Sequence, residues 1–290
     1  MPGMTATSRS TGVAAACALA LALLFGSSVR AQTTCKAPSS ECVVVGKLDL
    51  SVGLGLGDRS NPVRGESSIP LVVIPQLSYY GRHFFLDNLE LGVTVHESDT
   101  TTLNLIATPG YDRVFFYRND LQNFFVGGAP YATGIAPLAP SDQPEQQQVF
   151  PVRRRHTTYL AGPEWLFDYE GISGQLDALR EVTGEHEGYE VRGAIAVPLL
   201  KNAGALVVNT GFTWKSAALV RYYYGVDGLY RPGDAWNPFV KLGYSRPWSE
   251  RWSLNAFVHY EYLDRAVADS PLVSDHSVLT VFGGVVFKIL

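Results

Sequence analysis

Residues 47–57 read Lys-Leu-Asp-Leu-Ser-Val-Gly-Leu-Gly-Leu-Gly. Every even position is aliphatic (Leu48, Leu50, Val52, Leu54, Leu56) and every odd one is polar or glycine (Lys47, Asp49, Ser51, Gly53, Gly55, Gly57). That alternation describes a strand with two unlike faces. A strand of a soluble sandwich would be shorter and broken by turn signals. This one has the length a tilted strand needs to cross a hydrocarbon layer, about 9–11 residues. The expected fold is all-β, an antiparallel transmembrane β-barrel with this stretch as its first strand.

Upstream, Arg9 supplies a positive n-region, Val13 to Phe25 is an apolar run, and Val29-Arg30-Ala31 reads as a cleavage site before Gln32. Residues 1–31 are expected to be a signal peptide, 32–45 a periplasmic leader, and 46–290 the barrel. Without Arg9 and Arg30 the remaining chain carries 21 Lys and Arg against 27 Asp and Glu, a net charge of −6. No basic field is present to attract nucleic acid. Two cysteines of the leader, Cys35 and Cys42, sit close together with no His beside them. In an oxidising periplasm a local disulfide is favoured over a metal site, and two free thiols are the alternative.

Beyond the signal no run of eighteen apolar residues occurs, so a helical membrane span is not expected. Tyr (15), Phe (14) and Gly (28) are abundant while only 17% of residues are charged. A barrel accounts for this balance, with aromatics at the two membrane interfaces and half of each strand facing lipid. Alternation recurs over 69–80, 89–95 and 103–108. It resumes over 157–169, 172–182, 189–197, 205–214, 219–226, 236–244, 252–262 and 279–289. With 47–57 this makes twelve strands, an even number that puts both chain ends on one side. Residues 82–87 and 114–117 are further short candidates. Residues 109–155 lack a period and hold six prolines, so they read as a long loop or a plug within the lumen.

Several stretches of the second half carry a family resemblance. They are Arg221-Tyr222-Tyr223-Tyr224-Gly225-Val226, Trp248 to Leu263, and Ala268-Asp269-Ser270-Pro271-Leu272-Val273. With 48–88 and 180–200, they resemble the MipA/OmpV family of outer-membrane proteins over nearly all of the chain past the signal. The chain end departs from the aromatic terminus common in outer-membrane proteins, reading Phe287-Lys288-Ile289-Leu290. The resemblance implies an outer-membrane barrel in contact with lipid. It also implies a scaffold role between a murein transglycosylase and a penicillin-binding synthase. A porin-like channel for small solutes is the alternative, and a lipid-modifying enzyme a third reading.

For the third reading, Ser253, Asn255, His259 and Glu261 share the polar face of one strand, and Glu90 and His96 that of another. Any wet lumen contains such residues, and a catalytic triad is defined by three-dimensional roles that spacing does not supply. No catalytic residue, cofactor or metal ligand is therefore assigned. Glu185-His186-Glu187 reads as a turn. Arg153, Arg154 and Arg155 are either an anion contact for lipopolysaccharide phosphate or a solvated loop edge.

Overall fold

The computed structural model describes residues 45–117, 155–200 and 204–290. Twelve antiparallel strands follow one another around a closed barrel. They are β1 (Leu48–Arg59), β2 (Ile69–Tyr80), β3 (Phe84–Asp87), β4 (Glu90–Glu97), β5 (Thr101–Pro109), β6 (Tyr159–Tyr169), β7 (Ile172–Glu181), β8 (Tyr189–Leu200), β9 (Ala205–Lys215), β10 (Ala235–Pro247), β11 (Trp252–Tyr262) and β12 (Ser277–Lys288). β1 closes on β12 in an unbroken register from Ser51↔Lys288 to Arg59↔Thr280. Connections 81–83, 98–100, 170–171 and 248–251 share one end with the start of β1 and the end of β12. Short turns mark that end as periplasmic.

The two faces of residues 47–57 fall as the alternation predicts. Leu54 and Leu56 are exposed on the outer surface, Leu56 at 81%, while Gly53 and Arg59 are buried. Exposed Trp165, Leu176, Ile195, Trp236, Leu242, Val258 and Val281 extend this apolar outer face around the wall. In water such a surface would drive association; in a bilayer it is the solvated face.

Glycines let aromatic rings lie flat across neighbouring strands. Phe85 is paired with Gly92, Phe167 with Gly174, Phe212 with Gly193 and Phe239 with Gly211. At each of these glycines a Cβ would overlap the paired ring. The ring covers a site that otherwise lacks a side chain and helps hold the register.

Three local expectations are corrected. Residues 219–226, read as a strand, lie mostly in helix α1 (Ala217–Tyr224). Its buried positions Leu219, Val220, Tyr223 and Tyr224 follow helical spacing, and Asp234 accepts the Ala217 N–H at 2.7 Å. The short β3 restores the count to twelve. Residues 114–117 form no strand either: Tyr111–Phe115 is a 3-10 turn. Lastly, a bulge between Thr94 and His96 sets His96 opposite outward-facing Leu103, so Glu90 and His96 do not share a face.

The β3–β4 hairpin turns at Asn88 partway up the wall. Only Ser78, Tyr79 and Tyr80 of β2 pair with β3. Asn88 ends the ladder on both sides, donating its N–H to Leu77 O and accepting the Leu77 N–H on its side-chain oxygen.

The ring-over-glycine pairs generate a test. Gly92→Ala is expected to cost about 1–3 kcal/mol by forcing the Phe85 ring aside. In a Phe85→Ala background the same change should cost close to nothing. Urea midpoints of the refolded barrel in detergent measure both; equal costs in the two backgrounds would refute the pairing.

Candidate functional site

The lumen has two unlike halves. Towards the periplasm, inward residues Ser51, Asn209, Gly243, Ser245, Ser253, Asn255 and Gly284 are partly exposed, and Gln76 is exposed. Towards the far end Ile69, Thr108, Leu160, Asp177, Leu179, Arg192 and Thr280 are all buried. The barrel is a cup, filled at the far end and partly open to the periplasmic side, where Leu71, Ile74 and Phe282 form a buried apolar patch on the inner wall with Phe257 against it.

The filling comes from loops. The 3-10 turn (Tyr111–Phe115), helix α1 and the short helix α2 (Arg265–Ala268) bring Val114, Phe115, Leu219, Val220, Tyr223, Tyr224 and Val267 into one buried cluster with wall residues Ile106, Leu160, Leu179 and Val278. Polar bonds tie this cap to the wall. The Asp112 carboxylate takes Lys215 Nζ at 2.7 Å and the Tyr224 hydroxyl at 2.6 Å. Burial and the Asp112 charge push the Tyr224 phenol well above its ordinary range, so it stays a donor. Asn61 donates to Phe115 O at 2.9 Å, Arg59 stacks on the Phe115 ring at 4.6 Å, and the Ser270 hydroxyl donates to Tyr224 O at 2.6 Å.

Below the cap a polar ladder crosses seven strands. Thr94, Asn104, Glu164, Asp177, Arg192, Thr213 and Asn237 are successive cross-strand neighbours. Glu164 accepts from Asn104 and from Gln175, each at 2.6 Å. Arg192 Nε donates to Glu190 at 2.5 Å, and Asn237 to Glu261 at 3.1 Å. Buried charges of this kind are tolerable only when partnered.

The residues singled out from sequence are placed as follows. Ser253, Asn255, His259 and Glu261 share the inner face of β11. Ser253 and Asn255 lie in the open cup, bonded to each other at 3.4 Å, whereas His259 is buried against the Phe239 ring at 5.3 Å. Six residues of strand set Ser253 and His259 about 20 Å apart. That separation rules out their acting as a nucleophile and base pair. Arg155 is turned into the cap. Its guanidinium donates to Tyr223 O, with Nε at 2.9 Å, and lies 3.8 Å above the Phe116 ring. Burial lowers its pKa to about 10, so it is still a cation at neutral pH. Arg153, Arg154, Cys35 and Cys42 lie outside the described residues. Asp112 and Lys215, which anchor the cap, were not singled out. Asp112 sits in a stretch without periodicity, and nothing local marks its partner 103 residues away.

His186 packs between loop and cap. Its ring lies 5.1 Å from Tyr222, and Nδ1 accepts the Gly188 N–H at 3.0 Å. Desolvation holds its pKa below the ordinary value, with the Glu181, Asp112, Glu190 and Glu185 charges pulling the other way. Among the described residues no group of three or more His, Cys, Asp or Glu is arranged to hold a metal.

Residues 52–289 match the family model of the MltA-interacting protein MipA. The chain is similar to the MltA-interacting protein of Escherichia coli K12, with 32% identity over 257 residues covering 82% of this chain and 89% of that one. It is 24% identical to the putative outer membrane protein YiaT of the same strain, over 83% of this chain and 91% of the relative. Among solved structures, an outer membrane channel from Pseudomonas putida F1 aligns over 87% of this chain and 99% of its own, with 10% identity and a TM-score of 0.42.

Two predictions test the cap. Lys215→Met leaves the Asp112 carboxylate buried without its counter-ion and should cost about 3–5 kcal/mol. Adding Asp112→Asn, which keeps an acceptor for Tyr224, should restore most of it in chemical unfolding. Acid should loosen the 183–188 loop. Below the ordinary histidine value of 6.5 the unfolded segment takes up a proton that half-buried His186 resists, so stability present above that pH is lost as pH falls. Hydrogen-exchange protection factors of residues 183–188, corrected for the intrinsic pH dependence of exchange, should fall between pH 7.5 and 5.5 more than in His186→Phe; an equal fall in both would reject the assignment.

Proposed function

Because the chain belongs to the MltA-interacting protein MipA family, we propose that this outer-membrane barrel is a structural scaffold whose working surface faces the periplasm. Residues 1–31 direct export and are removed. The single observation that carries this reading is the asymmetry of the lumen. The cap cluster and its Asp112–Lys215–Tyr224 anchor fill the outer end, while the periplasmic half is partly open, with Ser51, Asn209, Ser245, Ser253 and Asn255 on its wall and the Lys288–Asp49 pair at its rim. A cup of this shape is suited to receiving or docking something from the inner side and poorly suited to passing solutes through.

The partner is a murein transglycosylase of the kind named in its relative, with a penicillin-binding synthase as the second component. Residues 32–45 and the short periplasmic turns are the docking elements. Val114, Phe115, Phe116 and Arg155, packed into the outer mouth, support the reading of residues 109–155 as a plug. A small-solute channel is the second reading, favoured by the charged ladder from Asn104 to Asn237.

Planar-bilayer conductance separates the two. The refolded protein without residues 1–31 should be silent, and deletion of residues 115–150 should produce steady steps. Steady steps from the undeleted protein would replace the scaffold reading with a channel. In parallel, purified murein transglycosylase should be captured by the intact protein and released by removal of residues 32–45; failure of capture would overturn the partner assignment.

A further inference from the structure

We propose that the floor of the periplasmic cup is a binding site for a small anion, a solute bearing a carboxylate or phosphate group, with Lys241 as its primary contact.

Three described lysines point into the lumen, and two are neutralised. Lys215 is paired with Asp112 at 2.7 Å, and Lys288 with Asp49 at the periplasmic rim. Lys241 is different. Among the described residues it makes no ion pair and no hydrogen bond; its ammonium lies 5.1 Å from the centre of the Phe257 ring. A ring face attracts a cation but satisfies none of its three N–H donors. Lys241 is partly exposed, so its unspent donors face the space of the cup, where an acceptor can reach them.

The surroundings supply more donors and withhold acids. Lys241 is flanked across its strand pairs by Asn209 and His259, and Thr280 and Arg59 continue the ladder. Five consecutive strands thus present Asn, Lys, His, Thr and Arg with no carboxylate among them. Thr280 is 1% exposed, and its buried hydroxyl is without a hydrogen-bond partner among the described residues. The neighbouring acids are already committed. Glu261 accepts from Asn237, Glu190 from Arg192, and Glu164 from Asn104 and Gln175. Glu90 stands on β4, six strands away around the wall. Access is provided by the cup itself, whose inward Ser245, Ser253 and Asn255 are partly exposed.

The test uses the refolded protein in detergent with its lysines dimethylated with carbon-13, followed by NMR at constant ionic strength. The Lys241 resonance, assigned by its loss in Lys241→Arg, should shift and saturate on addition of inorganic phosphate or acetate. The Lys288 resonance should stay in place. Calorimetric affinity should fall at least tenfold in Lys241→Met and be retained in Lys241→Arg. Saturation by acetate alone identifies a carboxylate ligand, and by phosphate alone a phosphate ligand. The proposal is overturned if chloride shifts the Lys241 resonance to the same extent, if the shift grows linearly without saturating, or if Lys288 responds equally. If Lys241→Met does not fold, as judged by heat-modifiable migration, the titration of the native resonance decides alone.

Discussion

Hydrocarbon offers no hydrogen bonds, so a sheet that crosses it has to close. Everything else in this chain follows from the meeting of β1 with β12. Their register brings Gly55 opposite Gly284, where added side chains would collide with the facing backbone. The seam is tight because both strands carry glycine on the stretch where they approach. The alternation that opens the chain therefore has two tasks: its even residues face lipid, and its odd residues leave room for closure.

Closure creates an interior that must be filled or flooded, and this protein does one at each end. The outer half is filled by an apolar cap and by charges held in pairs. Buried pairs add little net stability over apolar packing, but removal of one partner is costly. Such groups fix the arrangement more than they strengthen it. Asp112 illustrates this: a loop residue that takes a wall lysine and a helix tyrosine together joins three separate segments at one carboxylate. The inner half is partly open, and serine and asparagine join its lining beside a small apolar patch of Leu71, Ile74 and Phe282 and the Lys288–Asp49 pair at the rim.

The outward faces were legible in the sequence because each depends on one strand alone. Trp165 and Phe167, or Leu254 and Val258, declare their side by parity. The inner face of β11 was readable for the same reason. What parity cannot reveal is register between strands, so the ladder from Thr94 to Asn237 and the isolation of Lys241 were invisible. Tyr222, Tyr223 and Tyr224 suit strand and helix alike, and only the packing of α1 over the lumen decides for the helix. The His96 bulge is of the same kind: one extra residue reverses a side chain without leaving a mark in the pattern.

Residues 49–50 and 288–290 lie against each other: Ile289 donates to Leu50 O, and Lys288 holds Asp49. Topologically the barrel is a ring cut at one of several similar periplasmic junctions. Joining the start of β1 to the end of β12 with a short linker and reopening the chain at 170–171 or 248–251 leaves every ladder intact, as adjoining strand ends allow. The order in which the strands are encoded is thus separable from the order in which they stand.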